Sequence, residues 1–239
     1  MCIYMKKIFK KKPIEVVAII PARSGSKGIK NKNIQKIKNK PLLAWAIEVC
    51  KKSKKIDYFF VLTDSSNYKK IAKKYGAFSP FERPKSISKD TSTDMEFVKY
   101  SIKKLSEINI YPKIIVNLRP TTPFRNYKIV DRAIKIFLKK MNEYSSLRSV
   151  EEMPETALKT LFVEKGVAKP IIKNYTMEDI SAPRQNFQKT YSANGYVDIY
   201  KLDVVKKKSL YGNKVLAYET ERTTEIDSLY DLKIARKVS

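Results

Sequence analysis

The stretch Val16-Val-Ala-Ile-Ile-Pro-Ala-Arg-Ser-Gly-Ser-Lys-Gly-Ile-Lys-Asn-Lys-Asn33 indicates both a fold class and a kind of ligand. Its apolar run, Val16 to Ile20, predicts a buried strand, because a strand covered on both faces needs no polar alternation. The run ends at Pro21 and leads into a loop with two glycines, two serines, one arginine and three lysines. Flexible backbone, N–H donors and cations together receive phosphates in α/β proteins, so the segment predicts a nucleoside triphosphate site.

Length and composition are those of a globular protein. The 239 residues are 43% hydrophobic and 11% aromatic, enough for one domain or for one domain with an appended lobe. No apolar run approaches the roughly 20 residues that span a bilayer. The basic segment 1–13 lacks the apolar core of a signal peptide, so we expect a short extension on a cytoplasmic protein. Cys2 and Cys50 support neither a disulfide framework nor a cysteine metal site.

The net charge of +26 raises the possibility of a nucleic-acid-binding protein. The lysines are spread along the whole chain, however, and Lys, Ile, Asn and Tyr are abundant while Gly is scarce, as an AT-rich coding sequence would produce. No signature of a nucleic-acid-binding domain accompanies the charge. We therefore predict no specific nucleic-acid partner and no membrane partner. A non-enzymatic, basic nucleic-acid-binding protein remains an alternative.

Histidine is absent from the chain, which excludes several kinds of catalytic site. Ser-His-Asp and Cys-His nucleophile systems and histidine-ligated zinc or iron all require it. The remaining means of catalysis are positioning, the electrostatics of Lys and Arg, and a hard metal held by carboxylates. Phosphoryl and nucleotidyl transfer suit these means.

Strand and helix patterns alternate along the chain, which predicts a Rossmann-like, mainly parallel sheet flanked by helices. The predicted strands lie at 16–20, 58–62, 114–118, 196–200 and 215–218, and the predicted helices at 41–50, 67–75, 93–105, 129–138 and 228–238. Short strand-like pieces and turns predict an inserted β-rich lobe at about 144–193 within a domain of residues 14–239. Polar clusters follow the strands, and in open parallel sheets such clusters converge at a ligand-binding edge.

The loop after the first strand is neither a Walker A loop nor a dinucleotide-binding Gly-x-Gly-x-x-Gly. The longer run resembles the CMP-sugar synthetases (cytidylyltransferases), in particular their N-acylneuraminate branch. The resemblance lies in Pro21-Ala22-Arg23, Ser26-Lys27-Gly28 and Lys32-Asn33. It continues in order at 61–65, 83–84, 90–93, 119–125, 158–159, 183–185, 194–195 and 226–227, and so covers residues 16 to 235.

This resemblance implies the fold of the nucleotide-diphospho-sugar transferases and a reaction between CTP and a nine-carbon 2-keto sugar acid. The anomeric oxygen of the sugar would attack the α-phosphate of CTP, giving CMP-sugar and pyrophosphate. By the resemblance, the catalytic residues that hold the triphosphate are Arg23, Lys27 and Lys32. The remaining nucleotide-binding residues are Ala22, Asn33, Arg83 and Thr93.

The resemblance also implies a catalytic Mg²⁺ at Glu225 and Asp227, where the family usually has Asp-x-Asp. Residues i and i+2 of a strand point to the same side, so two carboxylates could share one hard ion. An acidic N-cap region for the last helix is the alternative interpretation. Because Glu225 stands where the family usually has Asp, a catalytically weakened homologue is a further alternative.

The sugar half of the site departs most from the neuraminate pattern. By the resemblance, the sugar-binding residues are Arg119, Lys159, Arg184, Gln185 and Asp198. Arg119 replaces a typical Gln, Asp198 a frequent Tyr, and Ser192 a family Arg. These substitutions favour a nonulosonate other than N-acetylneuraminate, such as a legionaminate-type sugar.

The inserted lobe implies a homodimer, because in this family the corresponding segment covers the sugar site of the partner. A local β-hairpin cap is the alternative interpretation of the lobe. An octulosonate cytidylyltransferase is an alternative enzyme, although that branch more often carries Arg at the lysine positions of the first loop.

Overall fold

The computed structural model describes residues 13–238, which contain ten strands and seven α-helices. The strands are β1 (Val16–Pro21), β2 (Lys36–Ile37), β3 (Lys40–Pro41), β4 (Tyr58–Leu62), β5 (Ile114–Asn117), β6 (Ser146–Glu152), β7 (Leu161–Glu164), β8 (Val167–Pro170), β9 (Tyr191–Lys201) and β10 (Val215–Glu219). The helices are α1 (Leu42–Lys52), α2 (Ser66–Lys74), α3 (Asp94–Ser106), α4 (Tyr127–Lys140), α5 (Met177–Ser181), α6 (Leu202–Lys206) and α7 (Leu229–Lys237). Residues 1–12, most of the predicted extension, lie outside the described part of the chain.

A six-stranded sheet in the order β10-β6-β9-β5-β1-β4 forms the centre of the fold. β1 pairs in parallel with β4 and β5, and β10 pairs in parallel with β6. β9 runs antiparallel between β5 and β6. The mainly parallel α/β class predicted from the alternating pattern is therefore confirmed.

Helices cover both faces of this sheet. On one face α1, α2 and α4 pack over residues such as Ala18 and Val116, and on the other face α3 and α6 pack over Ile19 and Ile115. All four of these strand residues are fully buried, because a strand between two helix layers presents apolar side chains to both. A third, smaller cluster joins α7 to the loop after β1 through Ile29 and Ile226.

The boundary predicted for the lobe, about 144–193, includes strand β6 of the central sheet and the first three residues of β9. The short apolar pattern of β6 favours a place in the lobe, but this strand pairs with both β9 and β10. The segment outside the sheet is residues 153–190, which contain the two-stranded β7–β8 hairpin and α5. The hairpin carries exposed apolar side chains, notably Leu161, Phe162, Val163 and Val167.

Candidate active site

A cavity of about 300 Å³ opens at the carboxyl ends of β1 and β5. Side chains from five separate parts of the chain line it, and three of these parts, at 21–33, 119–121 and 225–227, belong to the polar clusters expected to converge at this edge of the sheet. The lining residues are Pro21, Arg23, Ser26, Lys32, Asn33, Arg83, Ser92, Asp94, Phe97, Arg119, Pro120, Thr121, Glu225 and Asp227. Four cations and three carboxylates thus meet around one opening.

Hydrogen bonds to other segments fix the loop after β1. The Ser24 amide and hydroxyl donate to the two oxygens of Asp64 at 2.9 and 2.8 Å, which ties the loop to the end of β4. Buried Asn33 donates to the Arg23 carbonyl at 2.9 Å, and the Ala22 amide donates to the Leu62 carbonyl at 2.9 Å. Asn33 and Ala22, predicted to bind nucleotide, therefore shape the backbone of the loop.

The three predicted catalytic cations of this loop have different surroundings. Lys32 is directed into the cavity, where its Nζ lies 2.9 Å from Asp227 and 3.1 Å from the carbonyl of Ile226. Arg23 also lines the cavity and forms an ion pair with Asp90 at 2.6 Å. Lys27 does not line the cavity: its side chain is 87% exposed and lies 3.3 Å from Asp90.

Arg83 is buried at the wall of the cavity beside the ring of Phe97. Its Nε and Nη2 both donate to the carbonyl of Ile87, at 2.9 and 2.6 Å, and burial lowers the pKa of its guanidinium. Thr93 is the N-cap of α3 with a capping box to Glu96, and it lies outside the cavity while its neighbours Ser92 and Asp94 line it. Arg83 and Thr93 thus set the shape of the wall.

Arg119, which lines the cavity after β5, is paired with two carboxylates. Its Nη1 donates to Asp198 at 2.8 Å and its Nη2 donates to Asp94. Burial alone would lower the pKa of Arg119, but Asp198 and Asp94 outweigh burial and raise it. Asp198 is 1% exposed, so its contact with any ligand runs through the arginines beside it.

Glu225 and Asp227 line the cavity from a segment that belongs to no strand or helix. The amide of Ile226 between them donates to the Thr121 carbonyl at 2.8 Å, and its side chain is fully buried, which turns both carboxylates to the opening. Burial, and next the charge of Asp227, raise the pKa of Glu225. Residues 13–238 contain no group of three or more His, Cys, Asp or Glu side chains that could hold a metal.

Arg125 does not line this cavity, but it is a buried residue of the adjoining loop to which the sequence analysis gave no role. Its guanidinium donates to the carbonyls of Tyr196, Thr122 and Gly195 at 2.6, 2.5 and 2.8 Å. Burial, and next the charge of Arg119, lower its pKa to about 9. The sequence feature that could have pointed to Arg125 is its place at the end of the 119–125 motif. Arg125 joins the loop after β5 to the turn in β9.

The other predicted sugar-binding residues lie outside this cavity, on the segment 153–190. Lys159 donates to the Ala182 carbonyl at 2.9 Å, and Arg184 donates to Glu152 at 3.0 Å. Arg184 and Gln185 line a separate cavity of about 390 Å³. Within one chain, the structure does not bring these three residues to Arg23 and Lys32.

Comparison with known proteins identifies the family. A family model described as cytidylyltransferase matches residues 17–237. The N-acylneuraminate cytidylyltransferase of Escherichia coli O18:K1:H7 is 30% identical over 228 residues, covering 92% of this chain and 51% of that protein. The CMP-N,N'-diacetyllegionaminic acid synthase of Legionella pneumophila is 32% identical over 123 residues, covering 52% of this chain and 53% of that protein. The matches span about half the length of both relatives.

A solved structure of CMP:2-keto-3-deoxy-manno-octonic acid synthetase in complex with CTP has the same fold. Its TM-score is 0.68 over 94% of this chain and 98% of that chain, at 15% sequence identity. Among residues 13–238, no helix combines the length and apolar character needed to cross a membrane. Given the family match over residues 17–237, the chain belongs to the cytidylyltransferase family.

Proposed function

We propose that this protein transfers CMP from CTP to a nine-carbon 2-keto sugar acid, an N-acylneuraminate or a related nonulosonate. The observation that carries the proposal is the single cavity in which Arg23 and Lys32 face Glu225 and Asp227. Cations for a triphosphate and carboxylates for a hard metal are the two sets of groups that nucleotidyl transfer needs. The two relatives act on sugars of this class by name.

In the proposed reaction, the anomeric oxygen of the acceptor forms a bond to the α-phosphorus of CTP and the bond to the β-phosphate breaks. The hydroxyl proton is released and pyrophosphate leaves. Arg23 and Lys32 would stabilise charge on the phosphoryl oxygens, since fixed cations in a partly desolvated site act most strongly where charge develops. Lys27 would join them by leaving Asp90, to which its exposed side chain is loosely paired.

Glu225 and Asp227 would hold Mg²⁺ together with phosphate oxygens and water. Two carboxylates suffice for this ion, which binds through one or two protein carboxylates plus substrate phosphates. The raised pKa of Glu225 beside Asp227 fits this role, because a cation between them would offset their repulsion. When bound, the ion would neutralise charge on the triphosphate; Lys32, paired with Asp227, would keep that carboxylate oriented.

A homodimer completes the proposal. Lys159, Arg184 and Gln185 lie away from the cavity of their own chain, so a second copy would bring these two cations and one amide to the acceptor carboxylate. The exposed apolar side chains of the β7–β8 hairpin support a partner surface of this kind. Because the reaction consumes CTP, we place the enzyme in the cytoplasm.

The test is CTP-dependent pyrophosphate release with a panel of 2-keto sugar acids, with and without Mg²⁺. The panel holds N-acetylneuraminate, legionaminate- and pseudaminate-type acids, and an octulosonic acid. We expect release that requires Mg²⁺ and a nonulosonate, with a legionaminate-type acid preferred. A preference for N-acetylneuraminate would contradict that acceptor assignment, and no release with any acid would overturn the function.

A further inference from the structure

Two arginines flank one buried carboxylate on the face of the sheet that α3 and α6 cover. Asp198 of β9 lies 2.8 Å from Arg119 through one oxygen and 3.6 Å from Nε of Arg148 through the other. The strand register places Asn117, Asp198 and Arg148 side by side on β5, β9 and β6. Asp198 therefore holds two guanidinium groups on the same face of the sheet.

The two arginines differ in how many donors they have already used. Arg119 donates from one terminal nitrogen to Asp198 and from the other to Asp94. Within residues 13–238, Nε of Arg148 is buried without a hydrogen-bond partner, and its contact with Asp198 is longer than a hydrogen bond. Its side chain is 39% exposed, and its guanidinium lies 4.9 Å from the centre of the Tyr211 ring. The carboxylate and the aromatic ring orient the guanidinium, while its exposed end is available to a ligand.

The position of Arg148 in the sheet places it on the acceptor side of the proposed site. The triphosphate cations follow β1, Arg119 follows β5, and Asp198 and Arg148 lie on β9 and β6, the next strands in the sheet. An acceptor that attacks the α-phosphate must lie beside the triphosphate. An acceptor that extends from there toward β6 would contact Arg119 first and then Arg148, which lies on the other side of the Asp198 carboxylate.

The charges of this group indicate the chemistry of the ligand atom. Arg119 and Arg148 are balanced by Asp94 and Asp198, so the group carries no net charge. Such a group offers directed N–H donors without attracting a second anion, which favours a neutral oxygen. An acylamino carbonyl or a hydroxyl of the sugar would accept from these N–H groups. A sugar with hydrogen in place of that substituent would leave one N–H donor unpaired.

We propose that Arg148 recognises the acceptor: its terminal N–H groups donate to a neutral oxygen substituent of the sugar acid, and Asp198 positions it beside Arg119. This inference rests on the proposed cytidylyl transfer and names a residue that selects the acceptor. If the inference holds, replacing Arg148 in the enzyme and removing the oxygen substituent from the acceptor both abolish the same hydrogen bond.

The experiment crosses Arg148→Gln with acceptor pairs in which one acylamino or hydroxyl group is replaced by hydrogen. For one such pair, the unmodified protein should lose about 10- to 100-fold in kcat/KM, the range of a hydrogen bond to a charged group. Arg148→Gln should lose a similar factor with the full acceptor and under about threefold more with the deoxy acceptor. KM for CTP should change less than about threefold.

Two further variants separate recognition from a structural role. Arg132→Gln removes an exposed arginine of α4, on the opposite face, and should behave like the unmodified protein. If Arg148 served only to neutralise Asp198, then Arg148→Gln/Asp198→Asn would restore the acceptor KM. We expect thermal stability to recover in that double variant but the acceptor KM to stay raised.

Four outcomes would overturn the inference: additive losses for every acceptor pair, equal losses toward CTP and acceptor, an unchanged acceptor KM in Arg148→Gln, or recovery of the acceptor KM in the double variant. Turnover with an unchanged acceptor KM in Arg148→Gln would remove this inference and leave the proposed function intact. Absence of turnover by the unmodified protein with any acid would remove both.

Discussion

Gly195→Ala tests how the turn in β9 positions the candidate metal carboxylate. Gly195 lies at a bulge where the register between β6 and β9 shifts, and its φ is +65°. A Cβ atom there would lie 2.9 Å from Oε1 of Glu225 and 3.1 Å from Oγ1 of Thr122. Both distances are shorter than van der Waals contact, so one of these side chains must move.

Gly195→Ala should have two effects, one on the backbone conformation of residue 195 and one on the position of the Glu225 side chain. The left-handed conformation costs a residue with a Cβ roughly 1–2 kcal/mol, which lowers the melting temperature by about 2–8 °C in a chain of this size. The Glu225 carboxylate must also shift by about 0.5 Å to restore normal contact. Since a misplacement of 1 Å can cost about 100-fold, we expect about a tenfold loss of kcat and a raised requirement for Mg²⁺.

Gly166→Ala is the matched control for this prediction. Gly166 has φ +82° in the β7–β8 turn, and a Cβ there meets nothing within 4 Å, so only the backbone cost applies. Pyrophosphate release at graded Mg²⁺ concentrations and thermal melting are measured for both variants. If Gly195→Ala kept the same kcat and Mg²⁺ dependence as Gly166→Ala, the link from the bulge to Glu225 would be refuted.

Three further predictions concern single side chains. Glu225→Gln should raise the melting temperature at pH 8 without Mg²⁺, because burial and Asp227 disfavour the ionised form of Glu225 in the folded protein. This gain should vanish as the pH falls below 4.5, and a gain that does not change with pH would contradict the burial argument. Lys32→Ala should lower kcat/KM for CTP by about 10²–10³, whereas Lys30→Ala on the same loop should not, as pyrophosphate release would measure. Phe162→Glu should give a monomer by light scattering while Tyr111→Glu, an exposed aromatic elsewhere, leaves the dimer intact; a dimer in both would exclude the hairpin as the interface.

The sequence predicted the sheet and the first loop well because their determinants are local. The buried strands are short apolar runs, and the cations of the loop follow β1 within a dozen residues. The lobe boundary was wrong because a short strand pattern does not reveal its pairing partners. β6 belongs to the central sheet only through β9 and β10, which come about 45 and 70 residues later.

The carboxylate segment is a second case in which local reasoning needed correction. The i, i+2 spacing of Glu225 and Asp227 predicts a shared side on a strand, whereas the segment belongs to no strand. Its orientation comes from buried Ile226, whose amide bonds to Thr121, a residue 105 positions earlier in the sequence. No local pattern contains that contact.

The sequence by itself determined the fold class, the cationic loop after β1 and the family resemblance, since each depends on residues that are close together in the chain. Only the tertiary structure decided which charges neutralise one another. Lys32 meets Asp227 across 195 residues, and Arg119 meets Asp198 across 79. Arg148 became a candidate only when the register of β6 against β9 placed it beside Asp198. Electrostatic interactions depend on distance in space, and strand pairing, rather than position in the chain, sets that distance.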